Sequence, residues 1–471
     1  MNTESPTISS TPLLDAFLKL LEGWASAFSQ HRTHQRAIRL ALAHVLTPGH
    51  RMISRLITSC GRQELDWSAD YKLFSRSPWA LSNLFAPSLA ASLRHNATEP
   101  FIHVAGDMTH VRKTGKKVAG VHCMRDPMSP PFHVNLIYGL RFLQLTLVTP
   151  LYKKNPDASP RSIPALFEEV PALAKPGKKA TDEEKQAHAK AKKQPRGMLQ
   201  TLEALKGLRL RLDEEGCTKR VIATLDGGFC NRTLFGAELD RIDLVCRARR
   251  DARLCFRSKE PGQRFYDPSK FTPEEVRKNE KIPWQSGSFF HGGRFRDLRY
   301  KEVNEVLWQG GAKRRPLRLL VIAPTPYRNH KNDSLHYRQE AYLLTTDLKT
   351  PAAELIQAYF DHWQIEVNHR EEKSNFGIGD AQVRNKKSVP RQPAFAVAVY
   401  ALLLLAALEA YGIQRTSDYL PLPKWRKGAK RPSCADIIAQ LRREMDEAGS
   451  KLIEFEPRPR HLTPATLMAA A

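Results

Sequence analysis

From Leu13 to about His95 the apolar residues recur at helical spacing. LLDAFLKLLEGWASAF and RAIRLALAHVL predict two helices, and RMISRLITSCG a shorter one after the break at Thr47-Pro-Gly-His. After Pro100 the grammar changes to strands: FIHVAGD, KKVAGVHCM, PFHVNLIYGL and FLQLTLVTP, punctuated by Gly115, Pro127, Pro130 and Pro131. The charged, Lys/Ala/Pro-rich stretch 152–197 predicts a solvated helix or loop. Leu199, Leu202, Leu205 and Leu208 mark a helix that leads into the apolar run of KRVIATLDGGFCN. NRTLFGAELDRI then reads as a helix and DLVCRAR as a strand. Between 250 and 345 come short β-like runs with many turn residues, SGSFFHGGRF, RYKEVNEVLW and LRLLVIAP, closed by AYLLTTD. Pro351 opens a helix with no other breaker before Gly377. The longest apolar run, Ala394 to Leu408, is shorter than the ~20 residues a membrane helix needs and predicts a buried helix.

The helix after Pro351 carries two stripes. Ile356, Phe360, Trp363 and Val367 form an apolar one suited to a core, and Tyr359, His362, Glu366, Arg370 and Lys373 form a polar one about 100° around the axis. Taken alone, this is the pattern of an amphipathic surface helix with i,i+4 charge pairs. Two strands supply further acids. FIHVAGDMTH runs apolar into Asp107 and KRVIATLDGGFCN into Asp226, each predicting a short buried strand that ends at an aspartate. A single aspartate there is ordinarily a cap or turn residue. Two of them, with Glu366 on a packed helix, can converge in space.

Charge narrows the class of partner. Lysine plus arginine exceed aspartate plus glutamate by 74 − 49 = 25 over 471 residues, which favours polyanions and says nothing about fold. Arg36, Arg39, Arg51 and Arg55 are interspersed on the N-terminal helices, either a DNA recognition module or a plain bundle with solvated arginines. Arg247, Arg249, Arg250 and Arg253 crowd the entrance to the β-like region, and Lys424, Arg426, Lys427, Lys430 and Arg431 surround Trp425. Basic residues around an aromatic suit a DNA backbone; an exposed loop is the plainer reading. The seven cysteines show no CxxC pair, so reduced thiols in the cytoplasm are expected. The start MNTESPTISSTPLL has neither a basic opening nor an apolar signal core, and no membrane association is expected.

Tyr359, Glu366 and Lys373 stand at the spacing Y-x2-R-x3-E-x6-K, with His362 at the arginine position. Together with DMTHVRKTGKK from Asp107 and LDGGF around Asp226, this ordered set resembles the bacterial insertion-sequence transposases of the DDE type, in the branch that carries that signature. The resemblance spans about residues 65–440. It implies an α/β fold: a ribonuclease-H-like catalytic core carrying a β-rich insertion, plus an all-α N-terminal domain. The expected divisions are a tail at 1–12, a helical DNA-binding domain at 13–98, and the core at 99–250 and 346–415. The insertion falls at 251–345 and a basic C-terminal region at 416–471. Related enzymes stack a displaced base on a tryptophan of the insertion, for which Trp284 and Trp308 are the candidates.

The implied activity is DNA cleavage and strand transfer at the terminal inverted repeats of an element. Double-stranded DNA would be the partner, including target DNA, and a homodimer would form the synaptic complex. Phosphodiesters resist attack because they are anionic. Two divalent ions about 3.5–4 Å apart stabilise the entering and leaving oxygens, and Mg²⁺ (or Mn²⁺) prefers carboxylate ligands. Asp107, Asp226 and Glu366 are the expected ligands and catalytic acids. Tyr359, His362, Arg370 and Lys373 would grip phosphates, with Arg249, Arg253, Lys424 and Arg426 as further DNA contacts. A catalytically silent DNA-binding descendant and a nuclease without a joining step remain open from the residues alone.

Overall fold

The chain is an α/β protein in a computed structural model that describes residues 11–412 and 433–449, apart from 116, 127–128, 131, 174–175, 178, 193, 260–263 and 329–332. Its frame is a mixed sheet of ten strands. The first six are β1 (Ile102–Arg112), β2 (His122–Arg125), β3 (Leu136–Thr149), β4 (Arg161–Glu169), β5 (Val221–Leu225) and β6 (Ile242–Arg247). Next come β7 (Gln285–Phe290), β8 (Phe295–Leu307), β9 (Pro316–Ile322), β10 (Thr325–Tyr327), β11 (His336–Arg338) and β12 (Ala341–Thr345). The order across the sheet is β2-β3-β1-β5-β6-β12-β9-β8-β7, with β4 also on β3, while β10 and β11 form a separate pair. β1, β5 and β6 run parallel. All other neighbours in the large sheet are antiparallel.

The parallel centre is built from residues apolar on both faces, since both are covered. On one side Leu205, Leu208 and Leu212 of the helix Arg196–Glu214 pack on Val104, Ala223, Leu225 and Leu244. On the other side Leu355 and Ile356 of the helix Ala352–Asp361 cover Ile222 and Val245. Strands β7, β8, β9 and β12 extend this same sheet rather than forming one of their own. The N-terminal helices, Pro12–Glu22 and His31–Leu46, gather with the helix Cys434–Glu447 around the long helix Ser388–Tyr411, in a core that includes Phe17, Trp24, Leu40, Phe395, Leu404 and Leu441. That long helix has the length and hydropathy of a membrane span, but it is mostly buried inside the protein and acts as the axle of the helical layer.

Several expectations need correcting. Asp107 does not end a strand: β1 continues to Arg112, and only its parallel pairing with β5 stops, at Gly106. PFHVNLIYGL and FLQLTLVTP fall within one long stretch, with β3 running unbroken from Leu136 to Thr149. The stretch 152–197 is not one solvated insert, because it contains the buried edge strand β4. Pro164 disguised it. Proline belongs on an edge strand or beside a bulge, and the β3–β4 register shifts between Leu145 and Thr146, opposite Pro164. The later helix Asp182–Lys192 buries nothing and is the solvated part. Of the helix expected from Asn231 to Ile242, only Arg232–Phe235 forms.

The helix after Pro351 is two helices, Ala352–Asp361 and Trp363–Ser374, meeting at His362. There the backbone ladder tightens: His362 N–H donates to Ala358 O, but Ile365 N–H reaches only three residues back, to His362 O. The turn changes which face is buried. Trp363 is 65% exposed, not in the core. The inward residues of the second helix are Ile365, Asn368, His369, Glu371 and Glu372.

Candidate active site

The parallel register of β1 and β5 pairs Gly106 with Leu225, so Asp107 and Asp226 are the next residue along each of two adjacent chains. One strand spacing, about 4.8 Å, separates the chains at this level. Gly106 leaves room for the side chains of Leu225 and Leu145 to close over it, because a Cβ there would strike their ends. Asp226 leaves its strand into the turn Gly227–Phe229 and is exposed.

Glu366 faces these two from the helix Trp363–Ser374. Its side chain is exposed, yet surrounding protein raises its pKa, with the negative charge of Asp107 and, more weakly, Asp226 adding to the shift. Three carboxylates thus share one field. Among the described residues no three His, Cys, Asp or Glu side chains stand close enough to hold a metal ion as they are placed. The Asp107 carboxylate is instead turned toward His369 Nε2, 3.5 Å away. The donor set nevertheless suits a hard divalent cation: carboxylate oxygens whose mutual repulsion a cation would relieve.

His369 is nearly fully buried between Asp107 and Glu372, whose carboxylate lies 3.4 Å from its Nδ1. Burial alone would lower its pKa, but the adjoining carboxylates of Asp107 and then Glu372 outweigh that and raise it to about 9. Glu372, itself fully buried, accepts from Gln144 Nε2 at 2.8 Å, and Gln144 is the register partner of Asp107 on β3. The helix is anchored nearby. Asn368 donates to Ser162 O of β4, and Tyr400 of the long helix donates to Glu371.

The residues expected to grip phosphates separate into two groups. Tyr359 lies near Asp226 and Arg247, and burial raises its hydroxyl pKa. Lys373 lies near Glu372, Glu366 and Asp107, and burial lowers its pKa. Arg370 is exposed on the outer face. His362 is buried, not turned to solvent: Nδ1 lies 3.0 Å from the Thr224 carbonyl oxygen. Burial lowers its pKa, with Asp226 and Asp107 opposing.

Arg249 is exposed and held by both carboxylate oxygens of Asp251, and Arg253 is exposed. Lys424 and Arg426 lie outside the described residues. Arg36 and Arg39 converge on the buried Asp70, and Arg51 is buried, so three of the four N-terminal arginines serve the fold. Trp284 is covered by Lys301 and Arg299, and Trp308 packs on Phe235.

Sequence reasoning missed His369, Glu372, Gln144 and Arg247 as parts of this centre. His369 follows Glu366 by three residues, which places it on the same helical side. It lacked metal-motif company in the sequence and so gave no separate signal. Gln144 becomes visible only through strand register. No family model matches the chain, and no curated protein matches it.

Proposed function

We propose that the chain is a DDE-type transposase, a divalent-cation-dependent enzyme that cuts DNA at the ends of its element and joins them to a target. The observation that carries this reading is the β1–β5 register, which sets Asp107 beside Asp226 while Glu366 feels both charges from a neighbouring helix. The sheet supports it further. Antiparallel β2, β3 and β1 followed by parallel β5 and β6 is the arrangement of a ribonuclease-H-like core, and β7, β8 and β9 enter between the second aspartate and the glutamate.

In this reading Asp107, Asp226 and Glu366 hold the cations. Bound there, divalent ions supply Lewis-acid stabilisation of the phosphodiester oxygens and a nucleophile at neutral pH. The chain's own residues do the rest. Lys373 and Arg247 bring positive charge to either side of the acids, where phosphates on both sides of the scissile bond would lie. Tyr359 offers a hydroxyl beside Arg247, and Arg370 reaches DNA farther out along the helix. His369, when protonated, places one positive charge between the carboxylates of Asp107 and Glu372 and draws the Asp107 side chain toward it.

The test is cleavage of a linear fragment carrying the element's terminal repeats, with Mg²⁺ or Mn²⁺. Asp107→Asn, Asp226→Asn and Glu366→Gln should each abolish nicking while leaving the fold and end binding in place. Near-normal nicking by any one of them removes that residue from the site. Binding without nicking by the wild-type protein under both metals would instead favour a silent DNA-binding protein, and nicking without joined product a nuclease.

A further inference from the structure

His362 has one ring nitrogen with a fixed job and one without. Nδ1 lies 3.0 Å from the Thr224 carbonyl oxygen, which can only accept, so Nδ1 carries a proton. The hydroxyl of the same threonine lies 3.3 Å from Nδ1 and 2.8 Å from His103 Nε2, so the ring is tied to β5 and, through His103, to β1. In the singly protonated ring Nε2 is the lone-pair nitrogen. It is buried, in a residue 7% exposed, and among the described residues it has no hydrogen-bond partner. A buried polar atom left this way is costly unless something else meets it.

What stands near is carboxylate. Asp226 is two residues beyond Thr224, and Asp107 lies alongside it on β1. An imidazole whose N–H is held by a backbone carbonyl, with its other nitrogen free beside acids, is oriented as metal-binding histidines are. We infer that His362 Nε2 is a nitrogen ligand to the divalent cation held by Asp226 and Asp107, an inference that rests on the acid-site reading above. The other buried imidazole, His369, also has an Nε2 without a hydrogen bond among the described residues, but each of its ring nitrogens lies within 3.5 Å of a carboxylate, Asp107 or Glu372. A nitrogen among oxygen ligands moves preference from Mg²⁺ toward Mn²⁺ and later divalent ions. Position 362 then serves the cation, not a DNA phosphate.

Pulsed electron paramagnetic resonance of the full-length protein loaded with Mn²⁺ reads this directly. The expected result is imidazole-nitrogen modulation in the wild type, lost in His362→Gln and kept in His369→Gln. Titration calorimetry should show the Mn²⁺-to-Mg²⁺ affinity ratio falling about tenfold or more in His362→Gln. If Mn²⁺ binds in a manner that Asp226→Asn abolishes, but wild-type protein shows no nitrogen modulation, the inference fails and the acid site stands; this arm needs no histidine variant to fold. Modulation that survives in His362→Gln and vanishes in His369→Gln overturns it in favour of His369. Absence of any acid-dependent Mn²⁺ binding overturns both the inference and the metal-site reading beneath it.

Discussion

His369 is held between two carboxylates in the protein interior, and this gives it a pH signature. Its folded pKa of about 9 lies above the ordinary 6.5, so the folded state binds the proton more tightly. The stabilisation is therefore complete below about pH 6.5 and is lost as pH rises through about 9. In metal-free protein, His369→Gln should lower stability on the order of 2 kcal/mol at pH 6, with the gap to wild type closing by pH 10. Urea unfolding across that range measures it, and a gap constant with pH would refute the charge pairing. Trp363 provides a contrasting residue. Being 65% exposed, it should tolerate Trp363→Ala within about 0.5 kcal/mol, and a loss above about 2 kcal/mol would show that it packs after all. That Asp107, Asp226 and Glu366 lie near one another could be anticipated from the sequence, because apolar runs lead into the first two and a helical stripe passes through the third. The burial of Trp363 was misread because the turn at His362 rotates the second helix, which apolar spacing does not reveal.

At the scale of elements, β1 and the loop after the glutamate helix are fastened together. Lys113, near the end of β1, is buried and donates to Gly379 O and Ala381 O at 2.7 and 2.8 Å, and burial lowers its pKa to about 8. Gly377 turns the chain into that loop at φ +56°, where a Cβ would also strike the carboxylate of Asp380. That carboxylate accepts from Arg51 N–H, which joins the N-terminal helices to the same loop. Gly377→Ala should cost about 1–3 kcal/mol in thermal or denaturant unfolding, because it combines left-handed strain with the clash. An unchanged melting temperature would mean the loop relaxes freely. Strand positions in this region were readable from apolar runs, whereas pairing was not: β4 was hidden by Pro164 and the join of the two halves of β3 by its polar interruptions. Register depends on partners far away in sequence, and no local pattern encodes it.

For the whole molecule, the charge excess of 25 and the shared cores define two expectations. DNA affinity should fall steeply with salt, by about 0.9 in log K per neutralised phosphate for each tenfold rise in concentration. Flat affinity in mobility shifts at two salt concentrations would defeat the electrostatic account. The N-terminal helices pack directly on the long helix Ser388–Tyr411, so a chain lacking residues 1–98 would expose Phe395, Leu404 and their neighbours to water. Such a truncation should lose its cooperative unfolding transition, and a truncated chain melting like the intact one would show that the helical layer is self-sufficient. The proposed activity rests on three acids brought near one another by a parallel register and a facing helix. Its most direct measurement is nicking of terminal-repeat DNA with Mg²⁺ or Mn²⁺ by wild type and by Asp107→Asn, both shown to be folded and to bind the repeat. Nicking by the wild type alone is the predicted result; equal nicking by both proteins would contradict the account.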